Sequence, residues 1–260
     1  MKQIQSRDNP LYKKLSKLAG SARYRAECGE TLLDGIHLLE AYLDAGLLPK
    51  QLLVSNKALE NQELKKLLTQ VDSRATTQLD ERLFSGLSEL KSPTGVLALI
   101  EIPPVKQEGA DSRFALLIED VQDPGNLGSM LRSAAAAGCD AIFLSQGCAD
   151  VWSPKVLRAG MGGHFRLAIH ERAVLTEVAE SFSGRVYATA PNASANLYDS
   201  NLQGALAFAI GNEGAGLSAG MMASAQPLSI PMPGQQESLN AAAATAICLF
   251  EAVRQRAKIA

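Results

Sequence analysis

The feature that most constrains the fold is a series of short apolar segments in the second half of the chain. They are predicted to be strands at 114–119, 141–145, 166–169, 185–190, 205–210 and 227–231. Between these strands, helices are predicted near 127–137, 154–160, 173–182 and 218–224. A longer helix is predicted over 238–257. Nearly continuous apolar strands that alternate with helices are typical of a parallel sheet covered on both faces. This half is therefore predicted to be an α/β domain.

The first hundred residues alternate in the same way over a shorter length. Helices are predicted at 11–19, 35–45 and 63–69 with another beginning at 81–83, and strands at 51–55 and 95–102. The following segment, 103–112, holds two prolines and a glycine among polar residues, which is typical of a linker. We therefore expect a small α/β domain over 1–102 and a second domain over 113–260, each with a core of its own.

Composition excludes several classes of protein. The chain has 260 residues, 47% of them hydrophobic, and a formal net charge of −2. These values argue against general disorder and against a uniformly basic nucleic-acid-binding surface. The first residues lack the apolar core of a secretory signal, and no apolar run reaches the ~18 residues of a membrane span, so a cytoplasmic protein is expected. The four cysteines form no C-x-x-C pair and the three histidines are scattered, so no metal site is expected.

Positive charge is concentrated at the start of the chain. Residues 1–30 carry seven Lys or Arg against three acidic residues, whereas the remainder of the chain is acidic. A basic segment on an acidic body indicates a surface for a polyanion, and the alternative is an ordinary solvated helix face. The candidates for contacts with phosphate groups are Lys13, Lys14, Lys17, Arg23 and Arg25.

The first of three candidate motifs is EDVQDPGNLGSMLRSAAAAG, residues 119–138. It follows a predicted strand and opens a helix, whose first backbone N–H groups can receive an anion. Asn126 can donate and accept hydrogen bonds, and Arg132 carries a permanent, forked positive charge. The alternative is an ordinary strand–helix turn that contains glycine.

The other two motifs also begin at the ends of predicted strands. AIGNEGAGLS, residues 209–218, has three glycines that let the backbone approach a ligand, with Glu213 among them. It is neither G-x-G-x-x-G nor a Walker loop. LSIPMPGQQESLNAAAATAICLFE, residues 228–251, passes through two prolines and places Ser238 and Asn240 at the start of a small-residue helix. The alternative for this motif is simple helix capping.

In their order and wording these motifs resemble the SpoU family of RNA ribose 2′-O-methyltransferases, of the SPOUT superfamily. The resemblance rests on DPGNLGSMLRSA, GNEGAGLS and IPMPGQQESLN and covers roughly 114–256. The stretches IQSRDNPLYKKLSKLAGSARYR, LLDGIHLLEAYLDAG and KSPTGVLALIEI resemble the RNA substrate-binding domain attached to many members. Departures from the family pattern are Asp34, where Glu is commoner, and the Ala-rich helix after Asn240.

The resemblance implies a fold and a cofactor. The fold is a small N-terminal α/β domain followed by a Rossmann-like parallel-sheet domain with a deep C-terminal trefoil knot, which pairs into a homodimer. The cofactor is S-adenosylmethionine, held mainly by backbone groups. The positions implied to bind it are Gly211, Asn212, Ile230, Met232 and Leu239.

The resemblance also implies a reaction, methyl transfer to a ribose 2′-hydroxyl of structured RNA, with large-subunit ribosomal RNA as the expected substrate. Arg132 would align the hydroxyl and stabilise charge, since an arginine is a poor general base. Asn126 would shape the pocket and bond the substrate or Arg132, and Glu213 would orient Arg132 or its own loop. Ser238 and Asn240 would complete the site beside the methyl group.

Other functions stay open from the sequence. They are a tRNA ribose 2′-O-methyltransferase, and a non-catalytic RNA-binding protein on the same fold. A dehydrogenase would need G-x-G-x-x-G after the first strand, where this chain has D-P-G-N-L-G.

Overall fold

A computed structural model describes residues 2–90, 93–105, 113–234 and 238–257, with the backbone alone at Lys57. The chain divides into two compact units. The first unit comprises Met1–Pro104 and Asp150–Phe165, and the second comprises Val105–Ala149 and Arg166–Ala260. The units are therefore described separately.

The described residues form helices and strands that alternate along the chain. The helices are α1 Pro10–Gly20, α2 Ala22–Cys28, α3 Ile36–Asp44, α4 Gln62–Leu68, α5 Glu81–Ser85, α6 Pro124–Ala137, α7 Pro154–Gly160, α8 Leu175–Ser181, α9 Ala219–Ser224 and α10 Ala241–Ala257. The strands are β1 Lys2–Ile4, β2 Glu30–Asp34, β3 Gln51–Ser55, β4 Thr76–Leu79, β5 Val96–Glu101, β6 Phe114–Ile118, β7 Ala141–Leu144, β8 Ala168–His170, β9 Arg185–Thr189, β10 Leu206–Ile210 and β11 Gln226–Leu228.

The first unit is built on a mixed five-stranded sheet with the order β1-β4-β3-β5-β2. β5 runs antiparallel to β2 and β3, whereas β4 is parallel to β1 and β3. α1 begins at Pro10 because the Asn9 side chain accepts a hydrogen bond from the backbone N–H of Leu11. Its apolar face buries Leu15 and Leu18 in a core shared with the sheet.

The segment Asp150–Phe165 packs in the first unit, although it is numbered with the second. Arg25 binds the Asp150 carboxylate, and the Thr31 hydroxyl donates to the carbonyl of Trp152 at 2.7 Å. Val156 and Leu157 of α7 are fully buried. From the sequence, this segment is predicted to belong to the 113–260 domain; its contacts attach it to the other unit. Residues 106–112 of the predicted linker lie outside the described residues.

His164, in the same segment, makes the stability of the first unit depend on pH. Its Nε2 lies 2.9 Å from the Val151 carbonyl, while its buried Nδ1 has no hydrogen-bond partner among the described residues. Burial lowers the pKa of His164 to about 4, because the charged imidazolium loses its hydration in the interior. The neutral form is therefore favoured in the folded state relative to the unfolded chain, where the pKa is about 6.5.

We expect His164 to contribute stability above pH 6.5 that is lost as the pH falls from about 6.5 to about 4, by about 3 kcal/mol in total. Urea unfolding of the wild type and of His164→Gln at pH 7.5, 5.5 and 4.5 measures this loss. The variant should show a weaker pH dependence over the same range. Parallel pH profiles for the two proteins would contradict the assignment.

The second unit contains a six-stranded parallel sheet with the order β11-β9-β10-β6-β7-β8. This confirms the predicted α/β class and parallel sheet. The differences are local: β8 begins at Ala168, two residues later than predicted, because a 3₁₀ turn occupies Gly163–Phe165. β11 ends at Leu228 rather than at 231, because Ser229 pairs with Asn196 outside the strands.

The connections of this sheet reverse direction at its centre. From β6 the chain passes through α6 to β7 on one side, and from β10 it passes through α9 to β11 on the other side. The loops after β6 and β10 therefore diverge, although the two strands are neighbours paired from Phe114 to Ile118. Ligands of open parallel sheets bind at such a point, outside the carboxyl ends of the strands.

Candidate functional site

The loop after β6 places Asn126 in the first turn of α6. The Asp123 carboxylate accepts a hydrogen bond from the backbone N–H of Asn126 at 2.7 Å, and Pro124 occupies the first helical position. Both features are typical of a helix start. The Asn126 side chain is thereby held at the end of the sheet where the strand connections diverge.

The loop after β10 is closed by its own backbone and by one side chain. Asn212 and Gly216 exchange backbone hydrogen bonds of 3.1 and 2.9 Å. The Asn212 side-chain oxygen also accepts from the backbone N–H groups of Gly214 and Ala215. A Cβ at Gly211 would lie 2.3 Å from the carbonyl carbon of Gly216, so the fold of this loop requires glycine at 211.

Asn240 begins the last helix. Its side-chain oxygen accepts from the backbone N–H groups of Ala242 and Ala243 at 3.0 and 3.2 Å. α10 therefore starts at Ala241, rather than at the predicted residue 238. Residues 235–237 of the third motif lie outside the described residues.

A chain of side-chain hydrogen bonds joins the three motifs. The Asn240 amide donates to the Asn126 oxygen at 2.9 Å, and the Asn126 amide donates to Glu213 Oε1 at 2.7 Å. The side-chain oxygen of Asn240 accepts hydrogen bonds from the first N–H groups of α10, so the NH₂ group of Asn240 faces Asn126 and donates to it. This sets the direction of every hydrogen bond in the chain. Glu213 therefore accepts the hydrogen bond from Asn126.

Beside this chain lies a cavity of about 410 Å³ at the carboxyl ends of β9, β10 and β11. All five positions implied to bind the cofactor line it, together with Glu213 and Ser238. Thr189, Ala190 and Pro191 line it too and were not anticipated from the sequence. Only their position could have indicated them, since they end or follow β9, the strand that neighbours β10.

Arg132 does not take part in the hydrogen-bonded chain of Asn240, Asn126 and Glu213. It is exposed on α6, six residues beyond Asn126, which corresponds to about 9 Å along the helix axis. Within the described part of the chain, it has no hydrogen bond or ion pair. Glu213 bonds Asn126 rather than Arg132, so the guanidinium is available to a partner outside the described residues.

The basic residues near the start of the chain lie in the first unit, and most of them have acidic partners there. Lys13 pairs with Asp8, Lys14 with Glu30, Arg23 with Glu27 and Arg25 with Asp150. Burial opposes the charged form of Glu30, but hydrogen bonds from Lys14 and Lys50 outweigh it and hold the pKa of this carboxyl below its usual value.

Two residues of this basic set differ most in their surroundings. Arg25 is only 5% exposed and also donates to the carbonyl of Ala19, so its contacts are those of a structural residue. Lys17 is exposed and lies 5.4 Å from the centre of the Tyr24 ring. A dissolved anion can therefore reach Lys17 but not the guanidinium of Arg25.

The described part of the chain offers neither a cluster of metal ligands nor a helix that could span a membrane. No group of three or more His, Cys, Asp or Glu side chains in these ranges could hold a metal ion. No helix in the described part of the chain has the length and apolar character needed to cross a membrane.

Family models match both halves of the chain. The model of the SpoU rRNA methylase family matches residues 113–250, and that of the MRM3-like substrate binding domain matches residues 9–98. The chain is 35% identical over 258 residues to the 23S rRNA (guanosine(2553)-2′-O)-methyltransferase RlmP of Bacillus subtilis, which covers 96% of this chain and 98% of the relative.

Solved structures agree with these matches. The SpoU methyltransferase AviRb of Streptomyces viridochromogenes, in complex with AdoMet, superposes with a TM-score of 0.84 at 29% identity, over 95% of this chain and 98% of its own. An RNA 2′-O ribose methyltransferase superposes with a TM-score of 0.83 at 32% identity, over 97% and 98% of the two chains. The likeness extends over both units of the chain.

Proposed function

The chain belongs to the SpoU rRNA methylase family as an S-adenosylmethionine-dependent RNA 2′-O-ribose methyltransferase, and from this premise we propose that it methylates large-subunit ribosomal RNA. RlmP, a relative that spans nearly the whole chain, is named for 23S rRNA, which supports this class of substrate. The observation that carries the proposed chemistry is the hydrogen-bonded chain of Asn240, Asn126 and Glu213 beside the cavity. Ribosomal RNA as substrate is in keeping with the cytoplasmic location expected from the sequence.

The cavity fits the cofactor by its size and by its lining. Gly211 leaves no room for a side chain, so the backbone itself forms part of the wall. Ile230, Met232 and Leu239 add apolar surface for an adenosine group. When bound, S-adenosylmethionine supplies a methyl group on a sulfonium that is already a good leaving group.

The residues around the cavity have different roles in the methyl transfer. We infer that Arg132 binds a phosphate next to the target ribose and so aligns the 2′-hydroxyl, since its guanidinium has no partner among the described residues. Asn126, Glu213 and Asn240 hold the loops of the site in register, and Ser238 lines the cavity beside them. An arginine stays protonated, so proton removal does not fall to Arg132.

Mapping ribose methylation tests the substrate. Total RNA from cells with and without the gene is compared by reverse transcription at low deoxynucleotide concentration, and the lost site is then restored by wild-type protein on isolated large subunits. Loss of one ribose methyl from large-subunit RNA is the expected result. A site lost from tRNA instead, or no lost site, would contradict the proposal.

The trefoil knot is also proposed, and hydrogen bonds around the segment 195–202 support it. Ser229, just after β11, donates to the Ala195 carbonyl and accepts from the Leu197 N–H, both at 2.9 Å. Gln255, near the end of α10, accepts from the Leu202 N–H and donates to the Ser200 carbonyl. The returning chain is thus bonded to this segment at the start of the third motif, through Ser229, and again beyond its end, through Gln255.

We further propose that the second unit forms a homodimer. Phe250 on α10 is 47% exposed, which is unusual for a large aromatic residue on a helix that otherwise packs against α6. Light scattering at micromolar concentration is expected to give the mass of two chains. Phe250→Glu should shift the equilibrium toward the monomer, and a monomeric wild type would contradict the proposal.

Binding of RNA by the first unit is expected to depend on exposed lysines. The double reversal Lys13→Glu with Lys17→Glu should raise the dissociation constant for ribosomal RNA roughly tenfold at 0.1 M salt and make the salt dependence shallower. The melting temperature should barely change, because exposed charges contribute little to stability. The matched control reverses the exposed Lys65 and Lys66 on α4. Equal effects of the two double variants on RNA affinity would contradict a specific role for α1.

A further inference from the structure

The loop 211–218, which forms one wall of the cofactor cavity, is attached at both ends to the two residues that follow β6. At its start, the Asn212 amide donates to the Asp120 carbonyl at 2.9 Å. At its end, the Ser218 backbone N–H donates to Glu119 Oε2 at 2.7 Å. We call Glu119 and Asp120 the loop clamp. Neither residue lines the cavity, so the clamp can affect the cofactor only through the loop.

Strand pairing puts Glu119 within reach of the loop. β6 and β10 pair in parallel with Ile118 opposite Ile210, and the Glu119 N–H extends this ladder by donating to the Ile210 carbonyl at 2.9 Å. Glu119 is therefore fixed at the base of the loop, and its carboxylate reaches across to the exposed Ser218. A hydrogen bond with a charged acceptor is about twice as strong as one between neutral groups.

Asp120 is held in an unusual backbone conformation. Its φ is 53°, in the left-handed region that aspartate tolerates better than most residues. The Ser145 hydroxyl bonds the Asp120 carboxylate at 2.6 Å and accepts from its backbone N–H at 2.9 Å. These two bonds keep the Asp120 peptide in place, with its carbonyl on the Asn212 side chain.

The loop held by the clamp presents much of the cavity wall. Gly211, Asn212, Glu213, Gly214 and Gly216 all line the cavity. Most of them offer backbone groups, which bind a ligand well only if the loop already has the bound shape. Without the bond to Ser218, the glycines of this loop would have many other conformations available.

We propose that Glu119 is a positioning residue for the cofactor: its carboxylate, by accepting the hydrogen bond from Ser218, keeps the loop 211–218 in the conformation that binds S-adenosylmethionine. The inference rests on the cofactor site assigned under the proposed function and adds a residue outside that site. Loss of this bond weakens cofactor binding and raises the KM for S-adenosylmethionine, while kcat at saturating cofactor is lowered much less.

The test compares three variants by calorimetry with S-adenosylmethionine and with its demethylated product. Glu119→Ala removes the acceptor and is expected to raise the dissociation constants about fivefold, which corresponds to one modest hydrogen bond. Glu119→Gln retains an oxygen that can accept from Ser218 and should bind within about twofold of wild type. Glu180→Ala, an exposed glutamate on α8 in the same unit, should bind as wild type does.

Hydrogen exchange on the wild type gives a second readout that needs neither a variant nor an active enzyme. The Ser218 amide should be protected in the cofactor-free wild type, because its N–H donates to Glu119. An unprotected Ser218 amide would overturn the proposal, even if Glu119→Ala did not fold.

Calorimetry separates two kinds of failure. If the wild type binds cofactor and Glu119→Ala binds it equally tightly, the clamp is wrong and the proposed function stands. The clamp is also wrong if Glu119→Gln binds as weakly as Glu119→Ala, since an accepting oxygen would then make no difference. A wild type that binds no S-adenosylmethionine would overturn the proposed function, and the clamp with it.

Discussion

Replacing Arg132 by alanine is expected to lower kcat for RNA methylation roughly 10²- to 10³-fold, the usual cost of losing one group that stabilises or aligns a reacting centre. Affinity for S-adenosylmethionine should change less than about twofold, because Arg132 does not line the cavity. The reason for this separation is geometric. Arg132 is exposed and lies about 9 Å along the α6 axis from Asn126. No described residue forms a hydrogen bond or ion pair with its guanidinium.

Single-turnover methylation and cofactor calorimetry on the same preparation measure the two effects. Arg132→Lys should recover little activity, since an ammonium cannot bind a phosphate through two parallel hydrogen bonds. The control is Arg166→Ala, which removes another exposed arginine of the second unit. Turnover of Arg132→Ala at the wild-type rate would remove Arg132 from the reaction.

A methyl group added at position 211 should have the opposite effect to the change at Arg132, because it should weaken cofactor binding. In Gly211→Ala the new Cβ would lie 2.3 Å from the carbonyl carbon of Gly216 and 2.4 Å from the backbone nitrogen of Leu217. Both are backbone atoms, so the loop itself must move. We expect the dissociation constant for S-adenosylmethionine to rise roughly a hundredfold, the upper range for overpacking a closed site.

The matched control for that variant is Gly220→Ala, a change of the same size in α9. There the nearest atom outside its own helix, Thr176 Cγ2, lies 3.4 Å from the added Cβ, an ordinary contact. Calorimetry and thermal melting of both variants separate a local change in the loop from general unfolding. Wild-type affinity in Gly211→Ala would mean that the backbone of this loop does not shape the cofactor site.

The sequence alone was enough to predict the framework of the second unit. Buried strands such as β6 and β10 are apolar throughout, because a parallel sheet covered on both faces leaves no polar side to either strand. Sequence signals were weaker in the first unit, where β1, β2, β4 and α2 were not anticipated. β1 has only three residues, and β4 begins with two threonines and a glutamine, so neither has the apolar run of a buried strand.

The candidate site was likewise predicted in part. The resemblance of the three motifs implied seven of the residues that line the cavity, but Thr189, Ala190 and Pro191 were not among them. The motifs did not identify which side chains bind each other. Asn126 and Asn240 are 114 positions apart, and Glu213 is 87 positions from Asn126, so nothing local in the sequence encodes these pairs.

Only the tertiary structure decided three matters. It assigned Glu213 to Asn126 rather than to Arg132, buried Arg25 against Asp150, and placed the segment Asp150–Phe165 in the first unit. Each depends on contacts between residues far apart along the chain, whereas periodicity and turn chemistry report only on neighbours within about one or two turns. Local patterns determine which elements form; long-range packing determines which side chains meet.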